Sequence, residues 1–160
     1  MAFLDTTKDQ QLPLFYNVTR GVGYWCPNEE QDVRLVQYLL QTVYAKVPWT
    51  SPKGKMKVDG KCGPITENWI LKFQLDLRGQ KQSVTADRRV DRVRDNKVAG
   101  SFSKTIYTLL WLNHMAQRVD PLAFAKVPDQ VQLTPIGAVP PPKDDFIVPQ
   151  SLPVPAVGGL

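Results

Sequence analysis

Histidine and cysteine are nearly absent from this 160-residue chain, which has one histidine, His114, and two cysteines, Cys26 and Cys62. Zinc sites need such residues at short spacings, and none occurs here. Neither cysteine has a histidine at a motif distance, so no catalytic thiol is expected. A phosphate-cradling glycine loop and a nucleophile elbow are also missing. No apolar run approaches the length that spans a bilayer, which argues against membrane insertion. The opening residues, MAFLDTTKDQQLPLF, show no basic start leading into an apolar stretch, so no secretory signal is read there.

What is present is a moderately basic chain, with a formal charge of +5, and a hydrophobic fraction of 42 %. That fraction suffices for a core. The charge permits an anionic partner without naming one. Residues 1 to 23 contain Pro13, Gly21 and Gly23 and read as an N-terminal arm or short strand, centred on Leu14-Phe15-Tyr16. After Pro27, Glu29 and Glu30 suit a first helical turn. Val33, Val36, Leu40 and Val43 then form an apolar stripe flanked by Leu39 and Tyr44, predicting a helix over residues 28–46. Residues 47–58 are broken by prolines and Gly54, and this loop is basic.

Asp59-Gly60 is a strong turn dipeptide. Gly63-Pro64 sets up a helix entry, because proline fits the first helical position. Ile65, Trp69, Ile70, Phe73 and Leu77 recur at helical steps, predicting a helix over residues 64–78. Residues 80–100 are polar and charged and read as a long loop, with a short β-turn element as the one candidate for regular structure. A third helix, capped by Ser101 or Ser103 and ending near Arg118 or Val119, completes the set, since Pro121 excludes helical geometry at Asp120. Beyond it, proline and valine dominate with no helical period, predicting an extended arm over residues 120–160. Its apolar residues Phe124, Ile136, Phe146, Ile147 and Leu152 are the expected anchors on a partner.

Few residues look chemical. His114 reads as structural. Asp87, Asp91 and Asp95 alternate with Arg88, Arg92 and Arg94, which reads as a solvated mixed-charge surface lacking the glycine and glutamate of a calcium loop. No catalytic residue, metal or cofactor is expected. Trp69 and Trp111 fall within helical patterns and belong to the core. Trp49 is the best candidate for an exposed contact. With Tyr44, Lys53, Lys55 and Lys57 it forms a candidate site for an anionic stem peptide or glycan; the plainer alternative is a solvated lysine loop with Trp49 folded onto the body. The cysteines read as two small buried residues or, alternatively, as a Cys26–Cys62 disulfide.

Three blocks carry a family likeness: DVRLVQYLL from Asp32, VDGKCGPITENWILKFQ from Val58, and SFSKTIYTLLWL from Ser101. Together they resemble the three-helix peptidoglycan-binding domain of cell-wall amidases and phage endolysins. The middle block is the specific one. The chain departs from the pattern where a second Asp-Gly turn is usual, since Asp91 is followed by Arg92, and where Cys62 replaces a frequent aromatic. The resemblance implies a mainly α, three-helix module over residues 24–119, with turns that brace the helix starts, and no enzymatic activity. The expected function is a structural or adaptor component of a phage virion or injection-type particle, docked to other protein subunits through the C-terminal arm. The alternative is a free module recognising peptidoglycan. Nucleic-acid binding rests on net charge alone and is not expected. The expected location is the particle, otherwise the cytoplasm or the exterior by export without a classical signal.

Overall fold

The computed structural model describes residues 1–7, 12–94 and 107–135. Acidic residues at the start of the first predicted helix favour the positive end of its dipole, and α1 spans Glu30–Tyr44. It is shorter than residues 28–46 because Asn28 takes φ +53°. The Asn28 side chain accepts from the Gly23 amide at 2.7 Å and donates to the Gly23 carbonyl at 3.0 Å, so it closes a turn instead of opening a helix. Burial runs almost around α1: Leu35 and Leu39 are as enclosed as the expected Val33, Val36, Leu40 and Val43. This is the pattern of a central helix, wrapped by its neighbours, not of a one-sided stripe.

The second predicted helix matches α2, Pro64–Gly79, with Trp69, Ile70, Phe73 and Leu77 buried. The third, α3, is Thr108–Val119 with Tyr107 at its cap position; Ser101 and Ser103 lie outside the described residues. Leu109, Leu110, Leu112 and Ala116 of α3 are fully buried in one core with α1 and α2.

Three expectations are corrected. The N-terminal segment is not an arm; the alternative, a short strand at Leu14-Phe15-Tyr16, is formed and paired. β1 (Phe3–Thr6) pairs antiparallel with β2 (Leu14–Asn17), Phe3 opposite Asn17, and Ala2, Leu12, Phe15 and Val18 are fully buried. Asn113 of α3 holds this pair in place, accepting from the Tyr16 amide at 2.7 Å and donating to the Tyr16 carbonyl at 2.9 Å. Residues 80–94 are a loop with one short strand, as expected, but not a solvated surface. β3 (Val22–Gly23) pairs with β4 (Arg89–Val90), and Val84, Ala86, Val90 and Val93 enter the core between charged neighbours. At Gly23 a Cβ would stand 2.0 Å from the Arg88 carbonyl oxygen, so this close pairing requires glycine.

The third correction concerns the C-terminal arm, whose first part is helical and belongs to the domain. Asp120 is non-helical as expected, at φ −151° and ψ 79°. Yet Pro121 then opens α4 (Pro121–Ala125), with the Asp120 carboxylate accepting from the Ala123 amide at 3.1 Å. Proline blocks helix before it but suits the first helical position, and aspartate is a strong cap. Next, α5 (Val127–Gln130) buries Val127. Phe124 packs at 5.2 Å from the Tyr16 ring, the Tyr38 hydroxyl donates to the Ala123 carbonyl at 2.6 Å, and the Thr134 amide reaches the Ala2 carbonyl at 2.7 Å. The architecture is therefore mixed, with five helices and two two-stranded sheets among the described residues, and is only loosely the mainly α three-helix module expected. None of the described helices is long and apolar enough to cross a membrane.

Candidate functional site

The five residues proposed as a ligand site divide into two groups. Tyr44 is buried and Trp49 half-buried, both packed on the domain. Their rings lie 6.2 Å apart and both pack on Phe73. The Tyr44 hydroxyl donates to Asp76, which Lys72 also meets at 2.6 Å. Burial, and then the Asp76 carboxylate, push the Tyr44 hydroxyl far above the usual tyrosine range. Apolar area wins over exposure for Trp49, which is half-buried against this aromatic group.

Lys55 and Lys57, by contrast, line a groove of about 260 Å³ with Gln37, Met56, Asp59, Lys61 and the first turn of α2, Gly63 to Thr66. Lys53 is exposed beside them in sequence but does not line it. At the floor is Gln37, a polar residue on the buried face of α1. Its amide nitrogen donates to Asp59, to the Lys61 carbonyl at 3.0 Å and to the Thr66 hydroxyl at 3.1 Å. Its oxygen accepts from the Asp59 and Gly60 amides at 3.1 and 3.0 Å. Asp59 accepts from the Lys61 amide at 2.9 Å. That bond, then Gln37, holds the Asp59 carboxyl below the usual carboxylate range, so it stays ionised.

The same constellation occurs a second time. Gln74 of α2 donates to Asp87, to the Arg89 carbonyl at 2.9 Å and to the Thr108 hydroxyl at 3.2 Å, and accepts from the Arg88 amide at 3.0 Å. Asp87 accepts from the Arg89 amide at 2.9 Å. Gly60 and Arg88 occupy the same place in the two turns and share a left-handed backbone, φ 76° and 63°. Asp87-Arg88 therefore repeats the Asp59-Gly60 turn within this chain. Arginine hides the turn in the sequence, and its guanidinium is held over the Tyr24 ring at 5.7 Å. The second turn also borders a cleft of about 250 Å³ lined by Thr85, Asp87, Arg89, Asp91, Arg92, Arg94, Tyr107 and Thr108. Asp87 and Asp91 thus enter a structured cleft, whereas Asp95 lies outside the described residues. Among the described residues no group of three or more His, Cys, Asp or Glu could hold a metal ion.

Cys26 and Cys62 are both free thiols, so no bridge joins them. Burial raises both; it pushes Cys62 up to about 12, with Glu67 adding to the effect, which keeps the thiol protonated. His114 is half-buried with its ring 6.1 Å from Trp111. Of the expected arm anchors, Phe124 and its segment pack on the domain, while Ile136, Phe146, Ile147 and Leu152 lie outside the described residues. Lys61, Gln37 and Gln74 were missed by sequence reasoning. The available signal was a glutamine inside each apolar helical stripe, 22 residues before Asp59 in one case and 13 before Asp87 in the other. No family model, no characterised protein and no solved structure matches the chain.

Proposed function

We propose that the chain is a non-catalytic module of peptidoglycan-binding type, serving as a structural adaptor in a phage virion or injection-type particle. The observation that carries this reading is the fastening of residues 120–135. Leu133 bridges Ala2 in parallel, and the Thr134 and Gln132 amides are held by the Ala2 carbonyl and the Gln31 side chain. Whatever follows Pro135 is therefore delivered from a fixed root on the domain. A fixed root lowers the ordering cost of docking a Pro-rich, apolar segment on another subunit. The duplicated glutamine–aspartate turn supports the module reading, since one copy falls in the block that carries the resemblance. The test replaces the full chain by residues 1–135 and measures its content in purified particles. A folded but unincorporated chain is expected; stoichiometric incorporation would sink the adaptor role. The alternative, a free wall-recognition module, draws on the lysine-lined groove. Sedimentation with insoluble peptidoglycan separates the two and is expected to be weak for the adaptor.

A further inference from the structure

Tyr24 and Trp25 stand apart from the aromatic core. Their rings stack at 5.1 Å and 13°. Both are half-buried, and neither joins the cluster that takes in Tyr16, Tyr44, Trp69 and Phe73. Their polar tips differ too. Inside the domain the Tyr38 and Tyr44 hydroxyls and the Trp69 indole N–H are all bonded. Among the described residues no partner meets the Tyr24 hydroxyl or the Trp25 indole N–H. The turn that presents them is strained and firmly held. Trp25 takes φ +55° and Asn28 φ +53°, conformations costly for a large side chain. The Asn28 side chain bonds both backbone groups of Gly23. The Tyr24 amide donates to the Arg88 carbonyl at 3.0 Å, and the Cys26 and Asn28 amides donate to the Gly23 and Gly21 carbonyls at 3.2 Å. Core packing does not account for a pinned indole left outside the core.

Stacked aromatic faces beside a free N–H donor suit a proline run. Prolines favour the polyproline II helix, whose carbonyls are unpaired and whose preformed shape docks on aromatic residues at little entropic cost. The chain carries such a run itself, Val139-Pro140-Pro141-Pro142-Lys143. Its root lies beside the platform. The Gln132 amide is held by Gln31 in the first turn of α1, and the Tyr24–Asn28 turn leads directly into that helix. From Pro135 to Pro142 a polyproline segment reaches about 20 Å, at about 3.1 Å per residue. A tether this short gives an effective concentration of about 1 mM, so the chain's own segment prevails over free ligands of similar strength. Glu30, exposed at the start of α1, offers a partner for Lys143. We propose that the Tyr24–Trp25 stack seats this chain's own proline run, residues 139–143. Docking there carries the fixed root from Pro135 to Pro142 and leaves Phe146, Ile147 and Leu152 beyond it. The inference rests on the platform and not on the adaptor role.

The test compares the full ¹⁵N-labelled chain with its variant P140A/P141A/P142A by NMR. The Trp25 indole and Tyr24 amide resonances are expected to move, while the side-chain amides of Gln37 and Gln74 stay in place and the circular dichroism spectrum is unchanged. The parent should show nuclear Overhauser contacts between the Trp25 ring and the three prolines at every protein concentration. Trp25→Phe, which keeps a ring but loses the N–H donor, should weaken them. A free Ala-Val-Pro-Pro-Pro-Lys peptide should shift Trp25 in the triple variant, and do so several-fold more weakly in the parent, whose own run holds the site. The inference is overturned if the triple variant leaves Trp25 unmoved. It is also overturned if the contacts vanish on dilution, which assigns the run to a second copy, or if a chitin tetrasaccharide binds Trp25 of the triple variant more tightly than the peptide does.

Discussion

Two equivalent residues show how far local context sets the cost of a left-handed backbone. Gly60 and Arg88 take the same place in duplicated turns. A Cβ at Gly60 would stand 2.4 Å from Glu30 Cγ and 3.0 Å from the Glu30 carbonyl oxygen. Gly60→Ala therefore combines an unfavourable φ, costing about 1–3 kcal/mol, with a contact against backbone that cannot yield. Arg88 already bears a side chain there, so Arg88→Ala should lose only the contact with Tyr24, about 0.5–1 kcal/mol. Urea denaturation of the two variants should rank them in that order; equal losses would mean the turns are not equivalent. The thiols supply a second test. The folded state holds the Cys62 proton up to about 12, above the ordinary 9.0. A raised value means the folded protein binds the proton more tightly. The corresponding stability is complete below pH 9 and is lost as pH rises towards 12. Cys26 and Tyr44, also raised, act in the same direction. The melting temperature should fall across that window, and iodoacetamide at neutral pH should label both cysteines far more slowly in the native than in the denatured chain. A flat melting profile from pH 9 to 12 would contradict the burial described for them.

Among the elements, α4 and α5 decide where the domain ends. Neither could fold alone at such length. They persist because Asp120 caps the first, Val127 and Val131 are buried, and Phe124 packs on Tyr16. Each fully buried side chain of this size contributes about 1.5–3 kcal/mol. Deleting residues 121–160 thus removes several kcal/mol from a total that for a domain is about 5–15 kcal/mol. Truncation after Asp120 should markedly lower the melting temperature, whereas truncation after Pro135 should leave it nearly unchanged. If both truncations melt alike, the packing of α4 and α5 on α1 contributes nothing. The sequence legitimately suggested an arm here, because proline spacing conceals helices of a single turn. What it could not convey was the presence of Tyr16, Tyr38 and Ala2 on the receiving surface, contributed by segments about a hundred residues away.

For the whole molecule, the sequence by itself determined α2 almost to the residue, the existence of α1 and α3, and the turn at Asp59-Gly60. These are local matters: helical periodicity, Pro at the first turn, and glycine where φ is positive. It also supplied Lys55 and Lys57 of the groove, because a lysine in a proline-broken loop must reach solvent. Tertiary structure alone decided the rest. The N-terminal strands became core because Asn113 and Tyr16 exchange hydrogen bonds across 97 residues. Trp49 came to lie half-buried because the Tyr44 and Phe73 rings give it an apolar surface to pack on. The second turn stayed hidden because arginine stands where glycine would announce it, and only the Gln74 bonds reveal that Asp87 repeats Asp59. Local sequence fixes which backbone conformations are cheap. Which buried donors and acceptors meet depends on segments distant in the chain, and an unpaired buried polar group is too costly for that pairing to be left to chance.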